Sequence, residues 1–163
     1  MASYNPTPDE REKALGDVYY ELQQLVAASM LSTDHPNVEN ALIESRLLHV
    51  RTLVDFFEAA PSANDDVLAS HYGFPQTTLP IDRIYRQRLN KDLAHLTYSR
   101  TKRTAADKVW PYERVVLPVL EQGSAFIDHL MKSQLPTGPH DRPAWVELRN
   151  AVMNVIAALS KRP

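Results

Sequence analysis

Five prolines, Pro8, Pro36, Pro80, Pro111 and Pro143, stand at the head of segments whose apolar residues recur every three or four positions. Proline costs a helix nothing in its first turn, where the N–H it lacks would be unpaired anyway, but it breaks a helix interior or a central strand. The whole chain of 163 residues holds 4 glycines, far fewer than the tight turns of a β-rich fold consume. These two facts together confine the chain to an all-α fold.

Thr7-Pro8-Asp9-Glu10 combines an N-cap threonine, a first-turn proline and a glutamate three residues after the cap. Leu15, Val18, Leu22, Leu25 and Val26 then carry a helix to about Leu31. A second helix starts at Asp34-His35-Pro36, buries Leu42, Ile43, Val50, Leu53, Val54 and Phe57, and stops before Pro61. Residues 61–80 form the longest loop, with a short turn around Val67 to His71. Pro80 opens a third helix through Ile81, Ile84, Tyr85, Leu89, Leu93 and Leu96, unless Asn90 caps a separate short helix after a break. Pro111 opens a fourth helix, kinked at Pro118, with Val115, Val116, Val119, Phe126 and Leu130 inward. From about Pro143 the last helix sets Trp145, Leu148, Val152, Val155 and Leu159 in a 3-4 seam.

Short connections between these helices predict an antiparallel up-and-down bundle of four core helices plus a C-terminal helix. Residues 1–163 then make one domain, with the core over about 8–132, a linker over 135–142 and the last helix over about 143–160. The seam of that helix fits closure of the bundle better than pairing with a second copy, since core packing is the commoner use of such a stripe.

The chain has no cysteine, which excludes disulfides, thiolate metal sites and cysteine nucleophiles. No apolar run approaches the ~18 residues of a membrane span, and the first residues lack the basic-then-apolar order of a signal peptide, so the expectation is a cytoplasmic protein without a membrane partner. The net charge of −2 conceals an asymmetry: residues 1–66 carry 4 Lys+Arg against 12 Asp+Glu, and residues 67–163 carry 14 against 8. The basic part is led by Arg83, Arg86, Arg88, Lys91, Arg100, Lys102 and Arg103. Such a face attracts an anionic polymer, or else is neutralised by the acidic N-terminal helices within the chain or across a dimer.

No phosphate-cradling glycine loop and no Gly-x-Ser-x-Gly elbow occurs, which leaves P-loop nucleotide hydrolysis and esterase chemistry without support. One Asp92-x-x-His95 pair is too little for a di-iron bundle site, and His49, His95 and His129 lack ligand spacing, so neither metal nor cofactor is expected. On one continuous helix Arg88 and His95, seven residues apart, are separated by about 700° of rotation and share a stripe to within roughly 20°. Histidine moves a proton near neutral pH and arginine grips a phosphate oxygen, a minimal kit for phosphodiester chemistry. Glu44, His49 and Arg51 on the second helix would form the polar backing of His95.

Leu47-Leu48-His49-Val50-Arg51-Thr52-Leu53-Val54-Asp55-Phe56-Phe57, followed by Asn90-Lys91-Asp92-Leu93-Ala94-His95-Leu96-Thr97-Tyr98, resembles the HEPN superfamily, in particular bacterial abortive-infection-like members, over about residues 8–132. That superfamily consists of small helical bundles, usually dimeric, many of them metal-independent ribonucleases of toxin–antitoxin and phage-defence systems. Its motif is Arg, four to six residues, then His, with a polar residue commonly after the Arg. Arg88 and His95 meet the longest spacing with Leu89 at the polar position. Asn90-Lys91-x-x-Ala94-His95 meets the four-residue spacing with Asn90 where arginine belongs.

The resemblance implies RNA as partner, a homodimer, and cleavage by attack of the ribose 2′-hydroxyl. His95 would act as general acid or base and Arg88 would stabilise the phosphorane with help from Lys91 or Arg100, while Tyr98 or Tyr85 stacks on an unpaired base. The alternative is a catalytically inactive module that binds RNA or a partner protein such as an antitoxin. A helical bundle of unrelated purpose stands beside both.

Overall fold

The computed structural model describes residues 3–93, 98–133 and 136–161, with Ser99, Arg100, Ala105 and Ala106 described in backbone alone. The third-helix positions His95 and Leu96 and the linker residue Leu135 lie outside the described residues, as does the side chain of Arg100. Among the described residues all regular structure is helical, as the glycine and proline usage requires.

Helix α1 runs Pro8–Met30 behind the expected capping box: the Glu10 N–H donates to Thr7 Oγ1 at 3.2 Å and the Thr7 N–H donates to Glu10 Oε2 at 2.7 Å. Helix α2 runs Pro36–Glu58. The two are antiparallel, since Arg46 meets Ala28 where His49, one turn on, meets Glu21. The loop between them is tied down by Arg46, which is buried among apolar side chains. Its Nε donates to the Ala28 carbonyl at 2.6 Å, its Nη2 to the Leu31 carbonyl at 2.7 Å and its Nη1 to Tyr112 Oη at 2.9 Å. Helix α1 ends without glycine or a basic last turn, so this guanidinium satisfies carbonyls that a C-cap would otherwise serve.

After the loop and a 3₁₀ turn at Ala69–Tyr72, helix α3 covers only Arg83–Lys91. It starts three residues later than Pro80 predicts. The Leu79 carbonyl accepts from the Ile81 N–H and from Arg86 Nη2, and the Ile81 carbonyl accepts from Arg86 Nε, so the groups a first helical turn would use are already committed. Two single-turn helices follow, α4 at Ala105–Lys108 and α5 at Tyr112–Val115, then α6 at Leu117–Lys132 and α7 at Arg142–Leu159. The expected kink at Pro118 is a break at Val116. Pro118 has no N–H to give to the Arg114 carbonyl, and the helix restarts with Pro118 in its first turn.

The core is shared by α1, α2, α6 and α7. Helices α6 and α7 are antiparallel, Asp128 pairing with Arg149 and Ser124 with Met153. Gly123 lets α6 approach α1 closely, because a Cβ there would stand 2.6 Å from Leu22 Cδ2. Phe56 and Phe57 of α2 pack edge-on against Phe126 of α6, with Tyr72 and Phe74 closing the cluster. The α7 seam is buried within this single chain, Trp145 and Val152 completely. The last helix packs within the bundle against α6 and α1, and the short α3 lies against α2.

Candidate functional site

A cleft of about 590 Å³ separates α2 from the limb that α3 begins. Its α2 wall is Asn40, Ile43, Glu44 and Leu47, and its other wall combines the end of α3, at Arg88, Asp92 and Leu93, with Arg103 and the stretch from Lys108 to Tyr112. This size falls within the ~300–1,000 Å³ of small-ligand sites.

Arg88 is built into the wall. It is 4% exposed, its Nη1 donates to the Val109 carbonyl at 2.9 Å and its Nη2 to the Lys108 carbonyl at 3.1 Å. The guanidinium lies 3.8 Å over the Trp110 ring and 5.8 Å from the Tyr85 ring centroid. Burial, and after it the neighbouring Arg103, pull the Arg88 guanidinium below its ordinary value, with Asp92 acting in the opposite direction. An arginine still keeps its charge under such a pull. Asp92 stands one turn on, its Oδ2 3.9 Å from Arg88 Nε and 2.5 Å from Arg103 Nη2. These contacts place two cations around one carboxylate, but the hydrogen bonds are incomplete. Among the described residues Arg88 Nε, Arg103 Nε and both Asp92 oxygens find no hydrogen-bond partner.

The other predicted residues disperse. Helix α3 ends at Lys91 with Asp92 as its C-cap, two residues after the break expected as an alternative near Asn90. His95 lies outside the described residues. Asn90 and Lys91 are exposed on α3, and Tyr98 is 91% exposed. Of the polar set on α2, Glu44 lines the cleft, whereas His49 turns to α1, its Nδ1 2.7 Å from Glu21 Oε2. Arg51 is half-buried and exerts its field on Asp55. His129 Nε2 is 2.9 Å from the Tyr72 carbonyl, so His49 and His129 serve different partners, and no group of three or more metal-ligating side chains converges among the described residues.

Arg86 spends its guanidinium on a bidentate fork within the chain. Its Nη1 and Nη2 meet Glu58 Oε2 and Oε1 at 2.6 and 2.7 Å, which fastens α3 to the end of α2 and holds the guanidinium pKa above its ordinary value. Sequence reasoning missed Trp110, Lys108 and the Asp92–Arg103 contact as parts of one site. The i,i+4 spacing of Arg88 and Asp92 was the one local signal available.

No protein-family model, no curated protein and no solved structure matches this chain.

Proposed function

We propose that this chain is a HEPN-like helical module that binds single-stranded RNA in the cleft between α2 and the α3 limb. The observation that carries the reading is a cleft of nucleotide size whose wall holds a fixed arginine stacked on an indole, with Arg103 and Lys108 beside it. Cations beside aromatic faces are what a strand with unpaired bases needs, charge for its phosphates and apolar surface for its bases. The homodimer and the toxin or phage-defence setting follow from the resemblance and belong to the same proposal. Sedimentation measures the first directly.

Metal-independent endoribonuclease action is the second reading. It is favoured by one observation, that Arg88, the arginine of the longer motif register, lines this cleft. Weighing against it, both Nη atoms of Arg88 are bound to backbone carbonyls, which leaves little of the fork to clasp a phosphorane.

Titration of a labelled, unstructured RNA at increasing salt tests the binding reading. Affinity should fall linearly on a log–log plot, and Lys108→Ala should lower the slope by about one phosphate contact. Salt-independent binding, or none, sinks it. The same RNA incubated in excess EDTA with wild type and with His95→Ala decides between the readings: bound RNA should stay intact in both, whereas cleavage by wild type alone makes the protein an enzyme centred on His95.

A further inference from the structure

We infer that the cleft receives a guanine base, with Asp92 as the residue that selects it. This rests on the RNA-binding reading above and adds the identity of the base. The Asp92 side chain is 11% exposed and that of Arg88 5%, yet Arg88 Nε and Asp92 Oδ1 are without hydrogen bonds among the described residues, and Asp92 Oδ2 is held only by its ion pairs with Arg103 and Arg88. Burying a polar group unpaired is unfavourable, so an unpaired donor and an unpaired acceptor at one point describe a site awaiting a complementary group.

The Arg88 donor is fixed in advance. Two backbone carbonyls and the Trp110 face hold the guanidinium plane, which aims Nε without freedom to fold away. The acceptors are equally specific. A carboxylate is an acceptor and repels a phosphate, so the group entering here is neutral and presents two donors side by side. Among the four RNA bases the Watson–Crick edge of guanine alone does so, with N1–H and N2–H₂ adjacent, and its O6 stands next to them as an acceptor for the Arg88 Nε–H. Adenine and cytosine each offer one donor group beside an acceptor, and uracil offers one donor between two acceptors. Arg103, with 23% of its side chain exposed, now covers the carboxylate through Nη2. When guanine takes the Asp92 oxygens, Arg103 is released toward the flanking phosphate, on the side where Lys108 is exposed.

The test compares labelled five-residue oligoadenylates that carry adenine, guanine or inosine at the centre, by fluorescence anisotropy with the full-length protein. The guanine oligomer should bind at least tenfold tighter than the adenine one, and inosine, which lacks the N2 donor, should lose several-fold of that gain. Asp92→Asn offers one acceptor and one donor in place of two acceptors, and should bring the guanine-to-adenine ratio close to one. The inosine comparison stands even where that variant fails to fold. Equal binding of all three oligomers overturns the guanine assignment and leaves RNA binding intact; absence of binding to any of them overturns both.

Discussion

Tyr72 shows how a single polar atom in this core sets a pH limit. The residue is 4% exposed among Phe56 and Phe126, and its hydroxyl donates to the Arg11 carbonyl at 2.9 Å. Burial raises its pKa from 10.0 to about 12, with Arg11 opposing and Asp17 assisting. The folded state therefore holds this proton more tightly than the unfolded chain does. The resulting stability is fully present below pH 10 and is lost as pH rises through about 12, because in that window the unfolded state binds fewer protons. The expected loss is on the order of 2 kcal/mol between those limits. Lysines titrate in the same range, so the measurement is the difference between wild type and Tyr72→Phe in urea unfolding at pH 9 to 12. The variant should start about 1 kcal/mol less stable for want of its hydrogen bond and then lose less with pH. Parallel pH curves for the two proteins would mean that the Tyr72 proton is not held in this way.

At the scale of elements, the segment joining α6 to α7 works as a strap across α1. Trp145 Nε1 donates to the Thr137 carbonyl at 2.9 Å, and His140 stacks on Tyr19 at 3.8 Å. Gly138 makes this possible: its φ is +72°, and a Cβ there would stand 2.7 Å from the Glu12 carbonyl oxygen and 2.8 Å from Leu15 Cβ. Backbone oxygen cannot step aside as a side chain can. Gly138→Ala should therefore cost about 2–3 kcal/mol in chemical denaturation, combining left-handed strain with overpacking. A loss below about 1 kcal/mol would show that the strap does not lie this close to α1. How much of such detail is legible depends on where the determining contacts sit along the chain. Thr7 with Glu10, and the seam from Trp145 to Leu159, are local patterns, and the sequence displays α1 and α7 almost to their ends. Pro118 announces a disturbance, but a kink and a break differ only in what the neighbouring carbonyls find to bind. The cleft is the least legible part. Arg88 is fixed by carbonyls of residues 108 and 109, and a backbone acceptor leaves no mark on the identity of the residue that carries it.

At the scale of the whole molecule, the charge asymmetry of the sequence becomes a matter of attachment. Among the described residues one ion pair, Arg86 with Glu58, joins the basic part of the chain to its acidic first 66 residues. Glu58 also accepts from the Leu79 N–H at 2.5 Å, so one side chain holds both the loop and α3 against the end of α2. Beyond it the limb meets the common core at its edge: Leu89 is buried and Tyr85, Leu93, Trp110 and Tyr112 are half-buried against it, while Ile84 is 58% exposed and Val109 66% exposed. The four long helices, by contrast, interlock through fully buried residues from each of them. Cooperative stability should therefore be unequal, with the limb opening well before the bundle unfolds. Native-state hydrogen exchange measures this, and amides of α3 should open at least about 2 kcal/mol below those at the centres of α1 and α6. Glu58→Gln, which removes the charge but keeps the shape, should lower protection across α3 by tenfold or more while the slowest bundle amides hardly move. Uniform loss across all helices would place the limb inside the cooperative core. The cleft would then be a rigid pocket rather than one whose wall yields when a strand enters.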